Sequence, residues 1–360
     1  MHLNGIKRML PRIDHILKLR DLILMDDYTG EIRGKYKFKC ILCGNEFEYN
    51  LFNIFYLGHK CPDCFPRPKV IRRSNGELEV EEYVKSINFN INNSNRKIIA
   101  PKELDIVIES KKIAIEYCGL YWHSESSGRD KMYHLNKLNN CKKNGYQLIT
   151  IFEDEWLLKE NIVKSKLKYL LGSTPKNKIS HRHCEIKYID SKSKENFLEK
   201  YHIQGNDKSS IKIGAFYNNK LISVMTFNKP RIALGYKNNI KNMWELSRFA
   251  IADDYRCYYL ATKMLKYFKK NNDWIEIFTY ADRRWSIGNL YNKMGFDKSH
   301  ETLPNYWYFG NSLKGRIHRF ALRKRNDEPK HITEYQLRIA EGYDRIWDCG
   351  SIKYVMKNEK

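Results

Sequence analysis

At 360 residues, with 42% of them hydrophobic, the chain is long enough for two or three domains with real cores. Its 65 Lys and Arg stand against 42 Asp and Glu, a formal charge of +23 that costs self-repulsion in the compact state and attracts polyanions. The basic residues are interleaved with 25 Tyr, 16 Phe and 7 Trp, a mixture suited to double-stranded DNA, although an AT-rich genome accounts for part of the Lys and Asn. No apolar run approaches the roughly 18 residues of a membrane span. The stretch from Met1 to Arg8 lacks the apolar core of a signal peptide, so a cytosolic protein without a membrane partner is expected. Cys118, Cys141, Cys184, Cys257 and Cys349 are scattered as reduced thiols would be; the other four cysteines are patterned.

The first segment, 1–70, ends near Pro66-Arg67-Pro68. It carries Cys40-Ile-Leu-Cys43 and, after seventeen residues, Cys61-Pro-Asp-Cys64. Each CxxC turns two thiolates toward one point, and two such turns close a tetrahedral zinc site with no position left for substrate. A small zinc ribbon-like module with structural Zn²⁺ is expected, with Phe47, Tyr49, Leu51, Phe52, Ile54 and Phe55 as its core. His59 lies near the second pair but competes poorly with four thiolates. Lys35, Lys37 and Lys39 alternate onto one strand face, which suits either a phosphate backbone or a solvated edge strand.

The second segment spans 74–156. Ser74 opens a helix whose Val80, Tyr83, Val84 and Ile87 share one side. Two alternating strands follow at 104–109 and 113–118. A two-residue loop at Ser110-Lys111 would pair Ile106 with Ile115 and Ile108 with Ile113, and so set Asp105 opposite Glu116. Like charges across a hairpin are destabilising unless a cation lies between them or one pKa is raised. Carboxylates plus substrate phosphate hold Mg²⁺, so the hairpin points to metal-dependent phosphodiester chemistry. A helix is expected over 129–144, stopped by Gly145, then a buried strand over 146–152. Glu103 and Glu109 are read as exposed strand-end acids, and Glu153, Asp154 and Glu155 as a solvated acidic cluster capping the next helix.

A Lys-rich linker at 157–179 leads to the third segment, 180–325. Strands are expected at 211–217 and 221–227 around Asn218-Asn219, a helix at 257–270, a strand at 274–280 and a short helix at 286–294. His181-Arg-His183-Cys184 alternates like a surface strand edge. The stretch 326–360 reads as an appendage of uncertain order.

The hairpin with Leu120-Tyr-Trp122-His123-Ser-Glu125 resembles the PD-(D/E)XK nuclease fold, and within it the very-short-patch repair (Vsr-like) endonucleases and phage homing endonucleases with an EDxHD motif. The resemblance covers roughly 74–156. It implies a Mg²⁺-dependent DNA endonuclease acting in the cytoplasm of a phage's bacterial host. Asp105 matches the motif's strand aspartate, Glu77 its helix glutamate, His123 its histidine and Asp130 its final aspartate; Glu116 falls at the variable position. Cys118 stands where the broader pattern has lysine, so His123 is expected to carry the proton. Asp130 would orient His123 or complete the metal shell, or is simply a first-turn acid. Glu77 would bind a metal water, or closes a capping box with Ser74. One such site per chain cuts both strands only as a homodimer or by two nicks.

In the third segment Trp244-Glu-Leu-Ser-Arg-Phe-Ala-Ile251, Arg256 to Leu265 and Tyr280 to Phe296 resemble GCN5-related N-acetyltransferases (GNAT fold) in the style of Mom-like DNA-modification proteins. Cys257 and Tyr259 occupy the two glycine positions of that family's pyrophosphate loop, so acetyl-CoA is not expected. Arg283, Arg284 and Trp285 are candidate DNA contacts. The expected architecture is therefore α/β multidomain: zinc module, Vsr-like nuclease domain and GNAT-like α+β domain. The rival readings are a Mom-like DNA-base acyl transferase and a non-catalytic DNA-binding protein.

Overall fold

The structure is a computed structural model that describes residues 3–66, 73–173, 175, 177–230, 242–310 and 315–358, with backbone alone for 3–8. The expected end of the first segment, 67–70, lies outside the described residues. Two compact units emerge: Met1–Glu160 with Pro304–Cys349, and Asn161–Leu303 with Gly350–Lys360.

The first unit begins with α1 (Leu3–Leu19), whose Met9, Ile13, Ile16 and Leu17 are buried along one face. Strands β1 (Leu22–Leu24), β2 (Lys35–Cys40) and β3 (Glu46–Asn50) form a three-stranded antiparallel sheet with β2 in the middle. Alternation puts Tyr36, Phe38 and Cys40 inside and Lys35, Lys37 and Lys39 outside. Helix α2 (Leu51–Tyr56) is capped by the Asn50 side chain and buries Leu51, Phe52, Ile54 and Phe55. These elements do not form a core of their own. One hydrophobic core joins them to Cys118, Leu120, Phe152, Leu157, Phe309 and Ile346.

Helix α3 (Asn75–Ser86) is N-capped by Ser74 and buries Val80 and Val84. Next come β4 (Asn92–Asn95), β5 (Leu104–Ile108), β6 (Ile113–Cys118), α4 (Tyr133–Lys143) and β7 (Gln147–Phe152). The strands form one sheet in the order β4-β5-β6-β7, antiparallel except for β6 with β7. The β5–β6 register is Ile106 to Ile115 and Ile108 to Ile113, as the alternation required. The loop is longer than two residues: Glu109–Lys111 make a 3-10 turn, and Lys112 closes it in the left-handed conformation (φ 51°, ψ 41°). The added residues lie symmetrically about the turn, so the register survives.

Helix α5 (Glu153–Leu170) fills most of the expected linker and breaks at Lys159 (φ −139°), one residue before the unit boundary. The second unit holds β8 (Asn177–Ser180), β9 (Glu185–Tyr188), α6 (Ser191–Tyr201), β10 (Ile211–Tyr217), β11 (Lys220–Asn228), β12 (Met243–Ile251), β13 (Tyr255–Tyr258), α7 (Leu260–Asn271), β14 (Glu276–Asp282), α8 (Asn289–Lys293) and β15 (Asp297–Glu301). Asn218 and Asn219, both with positive φ, make the tight β10–β11 turn.

After β15 the chain supplies the first unit with β16 (Tyr306–Phe309), β17 (Ile317–His318), α9 (Glu334–Ala340) and β18 (Asp344–Trp347), then returns to the second as β19 (Ser351–Lys357). The seven-stranded sheet runs β15-β19-β14-β12-β11-β10-β9. The stretch 326–360 is therefore no appendage: β19 pairs with both β14 and β15 and buries Ile352, Tyr354 and Met356. His181–His183 form a 3-10 turn rather than a strand edge, and Cys184 is buried with its sulfur 4.0 Å from that of Cys257. Among the described residues no helix is long and apolar enough to cross a membrane.

Candidate active site and metal centre

The β5–β6 register places Asp105 and Glu116 at the end of paired strands, just beyond the Ile106–Ile115 rung. Asp105 is partly buried and accepts a hydrogen bond from the Tyr117 N–H at 2.8 Å. Glu116 is buried; one carboxylate oxygen pairs with the Lys137 ammonium, and Oε2 has no well-aligned hydrogen-bond partner among the described residues. Lys137 comes from α4, whose buried His134, Lys137, Leu138 and Cys141 face the sheet. Burial pushes the Asp105 carboxyl well above its ordinary pKa, and the charges of Glu116 and Glu77 add to the rise. Burial likewise raises Glu116, with Lys137 opposing. Burial works against the Lys137 ammonium, but Glu116 and Asp105 outweigh it and hold it above the ordinary lysine range.

Lys137 is the residue that sequence reasoning missed. Its signal was present in the helical face of His134, Lys137, Leu138 and Cys141, but helix periodicity alone does not say which strand residue a lysine meets. Glu77 makes the N-cap half of the expected capping box, its N–H bonding the Ser74 hydroxyl at 3.1 Å, and its charge adds to the raised pKa of both hairpin acids. Arg73 bridges Glu77 and Glu81, so the helix acids are already compensated. Helix α3 reaches β6 through Gly76, where a Cβ would overlap the Tyr117 ring.

His123 and Asp130 do not meet as expected. Asp130 is exposed and its Oδ1 accepts from the Met132 N–H, ahead of α4 and outside its first turn. His123 instead lies with its Nδ1 3.1 Å from His134 Nε2, the rings stacked with centroids 5.3 Å apart. The Cys118 thiol completes a group whose ligand atoms all lie within 4.8 Å of one another. Burial, then His134, push the His123 pKa well below the ordinary imidazole range. The acids at the start of α5 are not solvated as expected. Glu153, Asp154 and Glu155 are buried; Glu153 accepts from the Leu120 N–H at 3.0 Å, and Asp154 and Glu155 hold Arg316.

The four patterned cysteines converge. The Sγ atoms of Cys40, Cys43, Cys61 and Cys64 lie within 4.8 Å of one another, with Cys40–Cys64 at 3.8 Å and Cys43–Cys61 at 3.6 Å. A tetrahedron with Zn–S of about 2.3 Å has edges of about 3.8 Å, so the donors fit zinc. Gly44, with φ 75°, makes the turn after the first pair. Burial opposes ionisation of Cys40, but the Cys43 and Leu42 N–H groups and the neighbouring thiols bring its pKa down to about 7.

The basic candidates fare differently. Lys35, Lys37 and Lys39 are exposed, but β2 is a central strand, and Lys37 and Lys39 face Glu48 and Glu46 across the β2–β3 ladder. Arg283, Arg284 and Trp285, the candidate DNA contacts, are buried. Arg283 pairs with Glu301, Arg284 with Asp282, and Lys166 lies over the Trp285 ring. All of these partners lie within the second unit.

In that unit β12 and β14 run parallel but pair only over Met243–Glu245 and Glu276–Phe278, then part. The Thr279 hydroxyl donates to the Leu246 carbonyl beyond the last rung. Cys257 is buried on β13 with its sulfur toward that of Cys184. Tyr259 takes a left-handed backbone (φ 61°, ψ 4°) at the start of α7, with an exposed ring and no side-chain cap.

No protein-family model matches the sequence, nor does any curated protein. Among solved structures the chain is similar to a GNAT family acetyltransferase from Elizabethkingia anophelis with acetyl-CoA bound, 15% identical over 49% of this chain and 99% of that one, with a TM-score of 0.29. An IAA acetyltransferase from Bacillus cereus is 13% identical over 49% and 99%, with a TM-score of 0.29. The catalytic domain of the homing endonuclease I-Bth0305I is 23% identical over 27% of this chain and 94% of its own length, with a TM-score of 0.23.

Proposed function

We propose that the first unit is a metal-dependent DNA endonuclease whose reacting centre is Asp105, Glu116 and Lys137. One observation carries this reading: two carboxylates share a site with a single ammonium, and Glu116 Oε2 is buried without a well-aligned partner. A purely structural ion pair needs one carboxylate; the second is a surplus charge whose burial is costly. A divalent cation of the Mg²⁺ class removes that cost, bound by Asp105 and Glu116 together with substrate phosphate oxygens. Such an ion, when bound, polarises the phosphoryl group and lowers the pKa of a coordinated water. Lys137 stays charged and is placed to offset negative charge on the phosphate or the leaving oxygen. It takes the part of the lysine that Cys118 displaced, and His123 is assigned elsewhere. Glu77 stands behind the pair as a positioning acid. The charge of +23 supplies the sequence-independent pull toward DNA, and the Trp122-His123 stretch favours the Vsr-like and homing type.

The test is cleavage of plasmid DNA with Mg²⁺ and with EDTA. Asp105→Asn is expected to stop cleavage while DNA binding at fixed salt persists. Cleavage at wild-type rate by both Asp105→Asn and Glu116→Gln would end this reading.

A second reading, an acyl transferase in the second unit, is favoured by the parting of β12 from β14 beside the uncapped start of α7. Parted strands leave backbone groups free to bond an extended acyl-CoA arm, and a helix N-terminus suits its pyrophosphate. Tyr259 is the remaining obstruction. Calorimetry with acetyl-CoA decides it: saturable heat that Tyr259→Gly strengthens supports the reading, and the absence of heat in both proteins removes it.

A further inference from the structure

We propose that Cys118, His123 and His134 form a second metal site, distinct from both the four-cysteine centre and the Asp105–Glu116 pair, for a zinc-class ion. The three ligands come from three elements: Cys118 ends β6, His123 lies in the turn after it, and His134 is on the first turn of α4. Their ligand atoms lie within 4.8 Å of one another. The two imidazole nitrogens are 3.1 Å apart, and two nitrogens at about 2.0–2.1 Å from a tetrahedral ion stand about 3.3 Å apart. A thiolate with two imidazoles selects a borderline ion over Mg²⁺ or Ca²⁺. Three protein ligands leave one position for water, on a site whose Cys118 and His134 are buried and whose His123 is half-buried.

A bare histidine pair explains less. Core packing accounts for the burial of Cys118, but not for its sulfur lying within 4.8 Å of both imidazole ligand atoms. Helix α4 then serves two sites with one face, Lys137 toward the carboxylates and His134 toward the thiolate. The ion would tie the turn that carries Trp122 to β6 and α4, which fixes the approach to the carboxylate site without taking part in it.

The measurement is zinc content per full-length chain, by mass spectrometry after growth in zinc-supplemented medium and dialysis without chelator. Wild type is expected to hold two ions. Cys118→Ala, which removes one atom from a buried position, and His134→Ala should each hold one. Cys61→Ser with Cys64→Ser should also hold one. In that last background, cobalt should give a thiolate-to-metal charge-transfer band that Cys118→Ala abolishes. One ion in wild type, two ions in Cys118→Ala, or no cobalt band would each overturn the proposal. None of these readouts depends on cleavage, so failure here and failure of the endonuclease reading are separate results.

Discussion

Lys137 and Asp105 should shift stability in opposite directions when neutralised. Lys137 is the cation paired with Glu116, and both side chains are almost wholly buried. Lys137→Met keeps the length of the side chain and strands two carboxylates in a poorly solvated site. Removing one partner of a buried pair costs about 3–5 kcal/mol. Asp105→Asn keeps an oxygen to accept the Tyr117 N–H bond, which is 2.8 Å long, and removes the surplus charge. Because burial and Glu116 raise the Asp105 pKa, its charged form is disfavoured in the metal-free fold. Neutralising it should therefore stabilise the fold at neutral pH without Mg²⁺. In the double variant the Lys137→Met cost should shrink by about 1–3 kcal/mol, because the two groups share a partner. A two-unit chain need not unfold in one transition. The assay is therefore hydrogen exchange of the β5 and β6 amides across a urea series with EDTA present. The reasoning fails if Asp105→Asn loses more than about 1 kcal/mol while Lys137→Met is neutral, since the lysine would then not be compensating surplus charge.

Glu153 should give the first unit a distinctive pH dependence. Its pKa is raised from 4.5 to about 8, by burial first, with the Leu120 N–H and Arg20 opposing. The folded state then binds the extra proton, so this stabilisation is complete below about pH 4.5 and is lost as pH rises through about 8. Glu153→Gln, which keeps the acceptor for Leu120, should flatten the slope and stabilise the protein at pH 9 by up to about 5 kcal/mol, read from melting at a series of pH values; an unchanged slope would refute this. Gly76→Ala should drive α3 off Tyr117 at a cost of about 1–3 kcal/mol and lower Mg²⁺-dependent cleavage through the displaced Glu77; wild-type melting and cleavage would contradict it. Cys64→Ser should release one zinc and expose the β1–β3 amides to exchange, because Cys40 and Cys61 belong to the same core as α1 and α2; unaltered protection would show that the ion does not hold this fold.

Much of the candidate site was legible because its signals are local. Alternation from Leu104 to Ile108 and from Ile113 to Cys118 determined the hairpin register, since a slip of one residue would turn every isoleucine to the wrong face. The CxxC spacing determined the four-sulfur cluster, because each pair converges through its own short turn. Ser74 marked the start of α3, and Asn218-Asn219 the β10–β11 turn. What tertiary structure decided lies between elements far apart in the chain. Lys137 meets Glu116 across 21 residues, and His134 rather than Asp130 meets His123. Arg316 reaches Asp154 across 162 residues and makes a buried cluster of acids that read as solvated. Strand β19 returns to pair with β14 after the chain has served the other unit. Periodicity says which face of an element is buried, but a charged side chain chooses its partner only after the chain has folded. Local pattern was thus enough for the acidic hairpin and the thiolate cluster, whereas the packing of α4 selects which groups complete the acid pair and which meet Cys118.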